Sequence, residues 1–113
     1  MLRGNISQKS EAGSASGKIH KVEIENVNYP GRATLVDRDK YEAMKRAYLK
    51  ILPKRSPGLT PAEIQKRVLA HLPDKLFPNG AKAGWWTKAV QLDLEAKGAV
   101  AREKTRPLRL RKV

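Results

Sequence analysis

The sequence predicts a mainly α fold with a small β component: three helices, then a C-terminal β-hairpin. Three observations carry that prediction. Residues 84–97 hold apolar side chains at helical spacing, stop at Gly98 and run into a short alternating stretch rich in arginine. Thr60-Pro61-Ala62-Glu63 has the form of a capping box, with a hydroxyl N-cap, proline at the first helical position and glutamate two residues beyond it. Tyr41, Met44, Tyr48, Ile51 and Leu52 recur at three- and four-residue steps and are followed by Pro53, which cannot continue a helix.

Size and charge bound the function classes. With 113 residues there is room for one domain, expected over residues 19–113. Lys and Arg number 24 against 11 Asp and Glu, and the resulting net charge of +13 makes a polyanion the expected partner. Nucleic acid ranks ahead of a membrane surface, and double-stranded DNA is the leading form. No cysteine is present, so disulfides, thiolate chemistry and most structural zinc sites are excluded. The absence of a run of about 18 apolar residues, and of a signal-peptide core, leads to the expectation of a cytoplasmic protein that does not enter a membrane.

In chain order, residues 1–18 are rich in Ser, Gly, Ala and Gln, with Leu2 and Ile6 as the sizeable apolar residues, and are expected to be a disordered tail. Val22 and Ile24 alternate with Lys21, Glu23 and Glu25, which marks a half-buried strand. Asn28-Tyr29-Pro30-Gly31 has type II turn chemistry, so residues 33–36 either return as a second strand or lie as an extended arm. Asp37 is the expected N-cap of the first helix. The second helix follows Thr60 and carries Ile64, Val68, Leu69 and Leu72 on one side. Turn residues around Leu76-Phe77-Pro78-Asn79-Gly80 then lead into the third.

The third helix places Trp86, Val90 and Leu94 on one stripe, with Trp85, Ala89, Leu92 and Ala96 beside it. Gly98 suits a left-handed residue just past its end. After it, Leu108 and Leu110 alternate with Arg109 and Arg111, around a tip at Lys104-Thr105-Arg106. Three helices and a basic hairpin, in that order, define a winged helix-turn-helix with an additional N-terminal strand or hairpin. On this reading Lys82, Thr87, Lys88 and Gln91 face a DNA groove, where Gln suits adenine and Lys suits guanine. Arg102, Lys104, Arg106, Arg109 and Arg111 hold phosphates, since residues 99–113 carry six cations against Glu103 alone and that charge has no evident structural use.

Blander assignments stand beside these. Trp86 belongs to the core, while Trp85 either packs under residues 76–79 or is exposed as a contact for protein or nucleic acid. His71 reads as a helix-end histidine, with only the distant His20 as a second imidazole. No phosphate-cradling loop, His-Glu-x-x-His pair or Gly-x-Ser-x-Gly elbow occurs, so no enzyme, cofactor, metal or small-molecule substrate is expected. No sustained heptad marks a dimer helix, and a homo-oligomer has no support in the sequence. The alternative to DNA binding is a winged helix that takes a protein partner or structured RNA through the surface near Trp85.

Two resemblances bear on these expectations. The blocks at residues 22–28, 58–63, 80–86 and 94–98 resemble a group of small uncharacterised bacterial proteins over roughly residues 18–113. That resemblance implies no catalytic or binding residues. The last block and the basic hairpin also resemble the recognition-helix end and wing of winged-helix transcriptional regulators. Trp85-Trp86 departs from that pattern, standing where such regulators carry smaller polar residues.

Overall fold

The computed structural model describes residues 20–113, so the tail expected over residues 1–18 lies outside the described residues. Three helices and two small antiparallel sheets make up the fold of the described residues. Strand β1 (Lys21–Glu25) pairs with β2 (Ala33–Asp37), with Ile24 opposite Thr34 and Val22 opposite Val36. The second of the two readings of residues 33–36, an extended arm, is thereby excluded. The Tyr29 carbonyl accepts from the Arg32 N–H across Pro30-Gly31, and Gly31 takes a φ of 85°, as a type II turn requires.

Helix α1 (Arg38–Ile51) starts on the Asp37 carboxylate, which accepts from the N–H groups of Asp39 and Lys40. Its inward residues are Tyr41, Met44 and Tyr48, with Ala43 and Ala47 filling the close-approach positions between them. Helix α2 (Pro61–Val68) has both arms of its capping box, Thr60 Oγ1 accepting from Glu63 N–H and the Glu63 carboxylate accepting from Thr60 N–H. Its α-helical part ends at Val68, four residues short of Leu72, the last residue of the apolar pattern. Leu69 opens a tighter turn over Leu69–His71 and stays 48% exposed instead of joining Ile64 and Val68 in the core, since five residues past Ile64 it stands about 140° round the helix from it.

Helix α3 (Ala83–Ala96) runs through the middle of the structure, and Trp86, Val90 and Leu94 bury against α1 and α2. Its end is a full Schellman closure. Gly98 at φ 76° gives its N–H to the Glu95 carbonyl, and Ala99 gives its own to Leu94. Strands β3 (Val100–Glu103) and β4 (Arg109–Lys112) follow, with Ala101 opposite Arg111 and Arg102 opposite Leu110.

Between α1 and α2 the chain runs alongside β4. Leu59 and Leu110 exchange both backbone hydrogen bonds, and Lys112 N–H donates to the Pro53 carbonyl. The hairpin is thus tied to the helices at its base. Residues from every element join a single buried cluster, which includes Ile24, Val36, Leu59, Phe77, Val100 and Leu110.

Candidate nucleic-acid interface

The residues expected to read a groove do not share one surface. Lys82 precedes α3 in the left-handed conformation, φ 60°, and is exposed, as is Lys88. Thr87 is 6% exposed, its hydroxyl donating to the Ala83 carbonyl and lying against Met44. Gln91 is 2% exposed, with its amide nitrogen donating to Glu95 at 2.9 Å. Neither residue can reach a base, which corrects the expectation that they face a groove. The cause is packing on more than one flank: α1 and α2 cover one side of α3, and the two hairpins cover others.

The N-terminal hairpin is clamped to the second half of α3. Val27 N–H donates to the Leu92 carbonyl, and Glu25 N–H donates to the carboxylate of Asp93. Asp93 is fully buried, accepts the Tyr41 hydroxyl through its other oxygen and pairs with Lys97 at 2.7 Å. A buried carboxylate is tolerable only with such a complete set of partners. What α3 still shows to solvent is its first half, chiefly Trp85 and Lys88.

Among the arginines of the C-terminal hairpin, three have structural partners. Arg102 makes a two-pronged contact with Glu95, 2.6 Å and 3.0 Å, fastening β3 to α3. That contact holds the Arg102 guanidinium above its ordinary pKa. Arg109 donates to the Gly58 carbonyl and lies 3.6 Å from Glu63, and Arg111 donates to Glu103 at 2.9 Å. Hydrogen bonds from Arg111 and then from Ser56 hold the Glu103 carboxyl below the usual carboxylate range. The cationic charge of the hairpin therefore has a structural use that the sequence did not show. Lys104 and Arg106, at the tip, are exposed and have no carboxylate within ion-pair distance among the described residues.

Two groups of residues near these were not singled out by sequence. Ser56 Oγ donates to Glu103 at 2.8 Å, which holds the loop bearing exposed Lys54 and Arg55 against the end of β3, next to Lys104. Tyr29 and Arg32, in the turn of the N-terminal hairpin, line a groove with Trp85 and Lys88. Trp85 is 58% exposed and Tyr29 57%, so Trp85 is not packed beneath residues 76–79. It leans edge-on against Trp86, which meets Phe77 in the same manner inside the core. Proximity of a hairpin turn to a helix face leaves no trace in local spacing.

No group of three or more metal-ligating side chains occurs among the described residues, and no helix among them is long and apolar enough to cross a membrane. No curated protein and no solved structure matches the chain. Residues 21–110 match the model of a family of unknown function, DUF6958. With nearly all of its described residues inside that match, the chain belongs to the DUF6958 family of unknown function.

Proposed function

We propose that this protein is a winged-helix module that binds nucleic acid, holding double-stranded DNA chiefly by its phosphates, and is not an enzyme. The basic corner at the hairpin tip carries the reading. Ser56 ties the loop that carries Lys54 and Arg55 to Glu103, the residue before Lys104, and none of Lys54, Arg55, Lys104 and Arg106 has a carboxylate partner among the described residues. Such a cluster gains affinity by displacing condensed counterions from a duplex. The order α1, Leu59, α2, α3, β3, β4 supports the winged-helix assignment, with Leu59 as a minimal first strand beside β4 and residues 104–108 as the wing.

Base reading is limited in this arrangement. Thr87 and Gln91 are buried, and the N-terminal hairpin lies over the second half of α3, leaving Lys82 and Lys88 for contact near the helix start. Contacts to phosphate position a protein without specifying sequence, so an accessory factor or weakly selective regulator of transcription is the role that fits.

Titration of a DNA duplex across a salt series tests the reading. Replacing Lys104 and Arg106 together with alanine should flatten the log–log slope by about 0.9 for each phosphate left unneutralised, and Lys54 with Arg55 should do the same. Absence of duplex binding at low salt, or a slope indifferent to all four residues, would sink it. A second reading, a protein partner or structured RNA at the α3 surface, is favoured by the exposure of Trp85.

A further inference from the structure

The groove between the N-terminal hairpin and the first half of α3 is built differently from the wing. Its volume is about 440 Å³, within the range of about 300–1,000 Å³ typical of small-ligand sites. Ile24, Ala89 and Leu92 supply an apolar floor. Exposed Tyr29 and Trp85 supply aromatic surface, and Arg32 and Lys88 supply positive charge. The floor is held in place from beneath, since β1 is fixed to α3 through the Glu25–Asp93 and Val27–Leu92 hydrogen bonds. Asn26 also lines the groove, and its carbonyl oxygen is occupied by the Asn28 N–H, which leaves the amide NH2 as a donor.

We infer that this groove takes an unpaired nucleotide, its base stacked on Trp85 or Tyr29 and its phosphate held by Lys88 and Arg32. An apolar floor alone would fit many occupants. Two large aromatic faces left in water beside two cations with no carboxylate partner among the described residues fit one whose parts are a flat ring and an anion. Stacking on an aromatic side chain tolerates any base, because every base has a π face, and it complements phosphate contacts along a single strand. The Glu25 carboxylate at the rim opposes a phosphate on its side, which directs the phosphate toward Lys88 and Arg32, and it can accept from an exocyclic amino group. A duplex cannot offer such a base without unstacking it. The protein would therefore prefer DNA with a gap, an overhang or a single-stranded segment, wing on the duplex and groove on the unpaired base. This inference rests on the reading of the chain as a nucleic-acid binder and names the form of the ligand.

Anisotropy titrations with three labelled DNAs test it: a 12-nucleotide single strand, its blunt duplex, and the same duplex with a single-stranded overhang. Trp85→Ala should weaken single-strand and overhang binding by roughly tenfold or more while leaving the blunt duplex within about twofold. Trp85→Phe should retain most of the affinity, because a ring remains. Lys88→Glu should also weaken the single strand, and far-UV circular dichroism confirms that each variant is folded. Unchanged single-strand binding in Trp85→Ala, or equal losses on all three DNAs, overturns the groove assignment and leaves Trp85 to a protein partner. Duplex binding that survives in that case keeps the wing reading intact. Single-strand binding that depends on Trp85, without any duplex binding, overturns the duplex reading and supports the groove.

Discussion

Tyr48 is fully buried, and its hydroxyl has no hydrogen-bond partner among the described residues. An unsatisfied buried hydroxyl costs about 1–3 kcal/mol, whereas most core substitutions destabilise. Tyr48→Phe removes the hydroxyl and keeps the ring, so stability should hold or rise by about 1 kcal/mol, read from the urea midpoint. The same residue enters a pH effect together with Tyr41. Burial, followed by the Glu95 charge, pushes the Tyr48 phenol well above its ordinary value. Tyr41 is pushed the same way by burial first, then by its hydrogen bond to Asp93 and the charges of Asp93 and Glu42. In the folded state both keep a proton that the unfolded chain releases near pH 10. Their stabilisation is therefore complete below about pH 10 and declines as the pH rises beyond it. Tyr48→Phe should lessen that alkaline decline, and identical declines in both proteins would remove Tyr48 from the explanation.

At the level of elements, the junction of Leu59 with β4 depends on Gly58. Gly58 has a φ of 81°, and a Cβ there would overlap the backbone carbonyl of Leu110, the partner of Leu59 in the bridge. Gly31 has a similar φ of 85° but open space around it. Gly31→Ala should cost only the backbone strain, about 1 kcal/mol, and Gly58→Ala about 3 kcal/mol or more, since neither backbone strand can yield without breaking the bridge. Thermal melts of the two variants compare them directly, and equal losses would show that the bridge contributes little. This contrast also explains what was legible in the sequence. The Asp37 cap, the Thr60–Glu63 box, the Tyr29–Arg32 turn and the Gly98 closure each lie within a few residues, so their partners stand beside them along the chain. The Leu59–Leu110 bridge, the Glu95–Arg102 pair and the seat of the N-terminal hairpin on α3 are long-range or depend on how α3 meets its neighbours. Helical spacing put Gln91 on a solvent line because it registers one buried stripe, while α3 is packed on several flanks. Charge counting likewise finds arginines and does not find the carboxylates that meet them.

For the molecule as a whole, the net charge of +13 sets folding and the proposed binding to a duplex against each other in their response to salt. Two unit charges about 20 Å apart in water repel by roughly 0.2 kcal/mol, and a net charge of this size produces tens of such pairs. At about 10 mM salt the Debye length is about 30 Å, so most of that repulsion is felt across the fold. At physiological salt it shrinks to about 8 Å and most is lost. The opposing attraction is smaller. The partly exposed pair Arg111–Glu103 contributes about 0–1 kcal/mol, and Arg102–Glu95 and Lys97–Asp93, each with a buried carboxylate, are screened least. Repulsion therefore dominates at low salt, and adding NaCl from about 10 to 150 mM should raise the melting temperature of the free protein by a few degrees. Over the same range duplex affinity should fall steeply, because added salt removes the gain from counterion release. Thermal melts and duplex titrations in one set of buffers read both slopes. A melting temperature that falls with salt would mean that the ion pairs of the C-terminal hairpin outweigh the repulsion, in which case Arg102 and Arg111 matter more to the fold than the excess charge does.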